Sequence, residues 1–155
     1  MASTKFGKAE ILATFYDEGA YTTLFHEGAV TAAFGSANGQ PVYAVCQDGS
    51  AVCAKDAEKT VKVLDMAAKT GNPVVTFYNS VGAKLEEGLG ALAGSASVTA
   101  AIAKLSGVVP QVAVVTGVCA GTAAVQAASA DVCLMAKEAE LFLSAPFTSD
   151  AAGDK

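Results

Sequence analysis

The stretch Gly71-Asn-Pro-Val-Val-Thr-Phe-Tyr-Asn-Ser-Val-Gly-Ala-Lys-Leu-Glu-Glu-Gly88 decides how the rest of the chain is read. Within it, Val74–Tyr78 is a run of β-branched and aromatic residues bounded by Pro73 and by Asn79-Ser80. An unbroken apolar run of that length predicts a strand buried on both faces. Residues 79–83 read as a loop, and a helix is expected over Leu85–Ala93. A buried strand feeding a helix is half of a parallel crossover, so the stretch points to an α/β fold.

Toward the N-terminus, Asp56–Lys69 carries the clearest helical pattern. Ala57, Val61, Leu64 and Ala68 make an apolar stripe that Val63 and Met66 widen. Glu58 precedes Lys62, and Asp65 precedes Lys69, by four residues, the favourable order for ion pairs on one exposed stripe. Gly71 is the expected C-cap, with Pro73 behind it. Further upstream, Ala29–Phe34 and Val42–Gln47 are short apolar runs separated by a segment containing Asn38-Gly39, a strong hairpin signal. Residues 1–28 are mixed; Ile11, Leu12 and Phe15 have helical spacing that stops at Asp17-Glu18-Gly19.

Toward the C-terminus, Ser95–Leu105 predicts a second helical stretch, ended by Gly107. Glycines 88, 90 and 94 each lower helicity by about 1 kcal/mol, a cost that close approach of another backbone would offset. Val112–Thr116 reads as a strand, Ala120–Ala130 as a helix of small residues, and Val132–Ala136 and Leu141–Leu143 as strands. Lys137 and Glu138 read as a turn, and Ser149–Lys155 as a polar tail. The order is two strands, helix, strand, helix, strand, helix, two strands. No repeat or linker interrupts it, so one domain over residues 1–155 is expected.

Composition narrows the chemistry. The 155 residues carry a net charge of −5, with 52% hydrophobic residues and a mean hydropathy of +0.41 that comes from 33 Ala and 18 Val. That excludes intrinsic disorder. No apolar stretch reaches the ~20 bulky residues of a spanning helix, so no membrane insertion is expected. The chain has no Arg and no Trp, and His26 is its one histidine. An acidic chain without Arg builds no nucleic-acid stripe, and one His cannot make a multi-histidine metal site, so no metal is expected. Only 16% of residues are charged, which suggests that part of the surface is hidden in an oligomer. Cys46, Cys53, Cys119 and Cys133 form no CxxC pair, and MASTKFGKAE has no apolar leader core. Reduced thiols in a cytoplasmic protein are expected.

Two strand-to-helix junctions stand out: the corner around Gly82, and Thr116-Gly-Val-Cys-Ala-Gly121-Thr122. Ligands of α/β proteins collect at the carboxyl ends of strands. Small residues there let an oxygen approach main-chain N–H groups, and two such corners together can form an oxyanion hole without any catalytic side chain. The same residues also suit two ordinary tight turns.

Residues 10–147 resemble the N-terminal half of the carboxyltransferase subunits of biotin-dependent acyl-CoA carboxylases and decarboxylases. Lys69-Thr-Gly-Asn-Pro-Val-Val-Thr-Phe-Tyr-Asn-Ser-Val-Gly-Ala-Lys-Leu-Glu-Glu-Gly88 looks like that family's strand, Ser-Gly-Gly-Ala-Arg-type turn and Glu-Gly. Ser106-Gly-Val-Val-Pro-Gln-Val-Ala-Val-Val-Thr-Gly-Val-Cys-Ala-Gly121 looks like its Gly-x-x-Pro-Gln strand and Gly-x-Cys-Ala-Gly-Gly turn. The resemblance implies a crotonase-like α/β fold of stacked ββα units. It implies transfer of a carboxyl group between biotin and the α-carbon of an acyl-CoA. It implies that Gly121 and Thr122 hold the thioester oxygen as it becomes an enolate, and that Gly82, Ala83, Lys84 and Ala120 line the acyl-CoA pocket. Departures from the pattern are Val81 and Thr122 where the family has Gly, and Lys84 where it has Arg. Lys meets a phosphate as a point charge without the fork of Arg.

The implied partners are a biotin carrier protein, a companion chain resembling the family's C-terminal half, and further copies in a trimer or hexamer. An alternative is a non-catalytic, assembly-forming relative, which Val81, Lys84 and Thr122 would favour. A stand-alone hydrolase or isomerase would need Glu86, Glu87 or His26 as acid or base. Cys119 has no base near it in sequence, Glu86 and Glu87 suit a helix start, and Tyr78 and Asn79 suit either packing or ligand contact.

Overall fold

The computed structural model describes residues 7–144, so the polar tail at 149–155 lies outside the described residues. The elements are α1 (Lys8–Phe15), β1 (Tyr21–Phe25), β2 (Val30–Ala37), β3 (Gln40–Gln47), α2 (Ala54–Thr70), β4 (Val74–Ser80), a 3-10 turn (Leu85–Glu87), α3 (Leu89–Leu105), β5 (Gln111–Ala120), α4 (Thr122–Ala128), β6 (Val132–Met135) and β7 (Glu140–Phe142). The strands form a seven-stranded sheet in the order β1-β2-β3-β4-β5-β6, with β7 pairing the far end of β5. β1, β2 and β3 are antiparallel; β3 through β6 run parallel.

The hairpin forms where Asn-Gly predicts it. Asn38 and Gly39 both have positive φ (50° and 76°), the geometry of a two-residue turn matched to strand twist, and Ala37 pairs with Gln40. Asp17 closes this turn. Its carboxylate accepts Asn38 N–H, Gly39 N–H and Ser36 Oγ–H, each at 2.9 Å. Helix α2 ends as read: Gly71 takes the left-handed cap conformation and donates to Ala67 O at 2.8 Å.

Period-two alternation along the strands sends side chains to two cores. Val30, Ala32 and Val45 pack with α2 and α3; Ala33, Ala44, Cys46 and Phe77 pack with Leu12 of α1 and with Tyr16 just after it. A third cluster joins Tyr78, Val115 and Cys119 to the alanines of α4.

Three expectations change. β1 was hidden in the mixed N-terminal region because it is a short, half-exposed edge strand with a register shift between Thr23 and Phe25. The two expected helices Leu85–Ala93 and Ser95–Leu105 are one helix, α3, preceded by the 3-10 turn. Gly94 does not break it, because a Cβ there would lie 2.9 Å from Ala57 Cβ and 3.3 Å from Ala54 Cα. Its missing side chain is what seats α3 against α2. The small-residue helix begins at Thr122 and not Ala120, since β5 continues through Gly117 to Ala120, which pairs with Phe142 of β7.

Candidate functional site

The first corner follows β4. Ser80 is fully buried; its Oγ accepts Gly82 N–H at 3.1 Å and donates to Ser50 O at 3.0 Å. Val52, in the segment after β3, donates its N–H to Gly82 O and accepts Lys84 N–H, both at 2.9 Å. The corner is thus stapled on both sides, with Gly82 at φ 105°. Of its three amides, those of Gly82 and Lys84 are taken, and Ala83 N–H has no acceptor among the described residues.

The second corner follows β5. Between the pairs Tyr78↔Val115 and Ser80↔Cys119, β5 advances four residues while β4 advances two. Asn79 fills the resulting bulge: a Cβ on Gly117 would sit 2.5 Å from Asn79 Oδ1. Gly121, at φ 62°, donates its N–H to Phe142 O at 3.0 Å and accepts Ala124 N–H at 3.1 Å. Thr122 N–H has no acceptor among the described residues. Of the two amides that the resemblance assigns to the thioester oxygen, that of Gly121 is bonded to β7, and that of Thr122 is left without an acceptor among the described residues.

The two corners adjoin. A Cβ on Gly82 would meet Ala120 O at 3.4 Å. Gly82, Ala83, Ala120, Gly121 and Thr122 all line one outer cavity of about 680 Å³, whose rim includes the apolar Val81, Leu85 and Leu143. Gly82, Ala83 and Thr122 also line a small inner cavity of about 30 Å³, which lies against Ser95 and Gln126 and has room for one or two waters. Lys84 lines neither cavity; its Nζ lies 3.9 Å from Glu86 Oε2 at the surface.

The remaining candidates take structural roles. Glu87 accepts Ala54 N–H at 2.9 Å, so it caps α2 and not its own helix. His26 is exposed, and Lys137 and Glu138 form the expected turn. Asn79 N–H donates to Gln47 Oε1 at 3.1 Å. Tyr78 is buried, and burial first, then the neighbouring Cys119 and Cys133, pushes its phenol well above the usual range. Cys119 is also buried; burial pushes its thiol up to about 11, which keeps it protonated and unreactive. All four cysteines are free, and burial likewise pushes Cys46 up to about 12. Among the described residues no three His, Cys, Asp or Glu side chains cluster to hold a metal, and no helix is long and apolar enough to cross a membrane.

Sequence reasoning missed Ser80 and Ser95. Ser80 carried a signal, a serine two residues before a glycine, which suits a side chain that bonds its own turn. Ser95 carried none, because its partner, Thr122 on α4, lies 27 residues away.

Comparison with known proteins places these corners in context. The family model described as carboxyl transferase domain matches residues 3–152. The methylmalonyl-CoA carboxyltransferase 12S subunit of Propionibacterium freudenreichii subsp. shermanii is 39% identical over 124 residues, 77% of this chain and 24% of that protein. The chain therefore spans about a quarter of the length of this curated relative. A crystal structure of transcarboxylase 12S with hydrolysed methylmalonyl-coenzyme A bound, a hexamer assembly, superposes with a TM-score of 0.91 at 30% identity over 99% of this chain and 34% of that one. The hetero-dimer of Pseudomonas malonate decarboxylase gives a TM-score of 0.89 at 26% identity, covering 99% of this chain and 72% of that chain.

Proposed function

The chain belongs to the carboxyl transferase domain family and has the crotonase-like α/β fold, and from that premise we propose that it is the acyl-CoA-binding half of a biotin-dependent carboxyltransferase or decarboxylase. The observation that carries this reading is that Ala83 and Thr122, whose main-chain amides have no acceptor among the described residues, both line one cavity. In this reading residues 1–155 act as one crotonase-like domain.

The chemistry follows from where charge develops. When a carboxyl group leaves the α-carbon of an acyl thioester, the electrons of the broken C–C bond move into the thioester and charge appears on its oxygen. The reverse transfer passes through the same enolate. Donors fixed in advance lower that barrier, and losing one costs about 2.7–4 kcal/mol in known oxyanion holes. Here the donors are the amides of Ala83 and Thr122. Gly82 and Ala120 wall the pocket without side-chain bulk. Gly121 contributes through its backbone, pinned to β7 so that Thr122 follows at a fixed angle. Lys84 stands at the surface beside the corner, as a point charge for a phosphate of coenzyme A.

Biotin would arrive on a carrier protein. No biotin-holding residue is assigned to this chain, and no step is routed through that group. A companion chain resembling the family's C-terminal half supplies that site. Two features support an assembly: the malonate decarboxylase neighbour is a hetero-dimer, and Val132, Leu134 and Met135 of β6 are 48%, 54% and 50% exposed. An apolar edge strand of this kind calls for cover. The hexamer assembly of the transcarboxylase 12S neighbour supports a trimer or hexamer here, and a cytoplasmic location is part of the same proposal.

The test is native mass spectrometry of the chain with free coenzyme A and with acetyl-, propionyl-, malonyl- and methylmalonyl-CoA. Adducts with acyl thioesters, and decarboxylation of a malonyl or methylmalonyl thioester once the companion chain is added, are the expected results. Absence of any thioester adduct at millimolar concentration overturns the reading.

A further inference from the structure

Thr122 brings a β-branched side chain to a corner otherwise built of small residues, and that side chain is already engaged. Ser95 of α3 donates its Oγ–H to Thr122 Oγ1 at 2.6 Å. Ser95 is itself held: its carbonyl accepts Thr99 Oγ1–H at 3.0 Å and Gln126 Nε2–H at 3.3 Å. Gln126 is buried and also donates to Thr99 Oγ1 at 3.3 Å. Four side chains therefore make a polar seam between α3 and α4, ending on Thr122, which lines the outer cavity.

A threonine side chain has one main torsion, χ1, so fixing Oγ1 also fixes its methyl group. Released from Ser95, Thr122 would sample the other staggered wells. Thr122 lines both the inner and the outer cavity, so its rotamer decides how much of the outer one its side chain occupies.

We infer that Ser95 is a positioning residue: by holding Thr122 in one rotamer it keeps a β-branched corner open to a thioester at the Thr122 amide. The inference rests on the proposed acyl-CoA reading of the site. Ser95 touches no substrate atom in it.

The test has two readouts on the full chain. Three-bond couplings from the Thr122 methyl carbon to backbone nitrogen and carbonyl report χ1 directly and need no ligand. Calorimetry with methylmalonyl-CoA and propionyl-CoA reports affinity. In Ser95→Ala the couplings average and thioester affinity falls about fivefold, the scale of one lost hydrogen bond. Ser95→Thr, which keeps the hydroxyl, restores both. In a Thr122→Gly background, Ser95→Ala changes affinity less than twofold, because no side chain remains to position. Unchanged couplings in Ser95→Ala overturn the inference whatever the ligand does. Averaged couplings with unchanged affinity overturn it as well. If the wild-type chain binds no thioester, the acyl-CoA reading fails and the positioning role falls with it, and the wild-type arm reveals that case separately.

Discussion

The two ends of the sheet solve the same problem differently. At the β1–β3 end the chain closes its own polar groups. Asp17 ties off the hairpin, and buried Asp56 of α2 accepts Ala29 N–H at 3.3 Å, Cys53 Sγ–H at 3.1 Å and the Lys59 ammonium at 3.0 Å. Lys59 also donates to Glu27 O. At the other end the corners after β4 and β5 each leave one amide without an acceptor among the described residues, and the apolar residues of β6 are half-exposed. Alanine and valine dominate both ends, so bulk composition does not separate them. What separates them is whether the chain's own side chains satisfy the main chain. At the first end the turn and helix-cap groups are satisfied by the chain's own carboxylates, and at the second two corner amides are left without such partners among the described residues.

The sharpest break in that contrast is Asp56→Ala. It strips the buried Ala29 amide and the half-buried Lys59 ammonium of an acceptor, and should cost about 2–3 kcal/mol in urea denaturation, the upper part of the usual penalty for leaving a buried polar group unsatisfied. Gly94→Val comes next. Its Cβ would enter the space of Ala57 and Ala54, and overpacking of this kind costs about 1–3 kcal/mol; a lowered thermal midpoint checks it. Both act on the first end.

Acid should act there too. Asp17, through the Gly39 amide first, then Ser36 and Asn38, is held below its usual 3.8. Asp56 is pushed up by burial but pulled further down by Cys53, Lys59 and the Ala29 amide, and so is also held below 3.8. Depressed native values mean the unfolded chain binds protons first. Their stabilisation is present above pH 3.8 and is lost as pH falls through the native values. Asp17→Asn should flatten the acid limb of a stability–pH curve. The smallest effect on stability belongs to the open end: Leu134→Ser should change monomer stability by no more than about 0.5 kcal/mol. It should nevertheless weaken self-association or companion binding in analytical ultracentrifugation.

The same contrast governs what could be read from sequence. Helix α2, its Gly71 cap and the Asn38-Gly39 hairpin were legible because each is set by residues a few positions apart. Ala120 was misread as helical because alanine favours helices, whereas pairing with Phe142 holds it in β5. Close approach of another backbone was legible from the glycines of α3, but that Gly94 meets α2, and that one helix runs through it, is tertiary information. At the candidate site the corners were legible from their glycines and small residues. That β7 occupies the Gly121 amide, and that Ser95 holds Thr122, depend on contacts 21 and 27 residues apart that no local pattern records.

In the proposed reading the amides of Ala83 and Thr122 grip a thioester oxygen. Thr122 occupies the first position of α4, where proline is well tolerated and removes only an N–H the helix does not use. The direct measurement is the infrared stretch of a ¹³C-labelled thioester carbonyl in an acyl-CoA bound to the wild type, Thr122→Gly and Thr122→Pro. A carbonyl shifted to low frequency in the first two and returned toward its free-solution value in Thr122→Pro is the expected result. The same low frequency in all three would contradict the account.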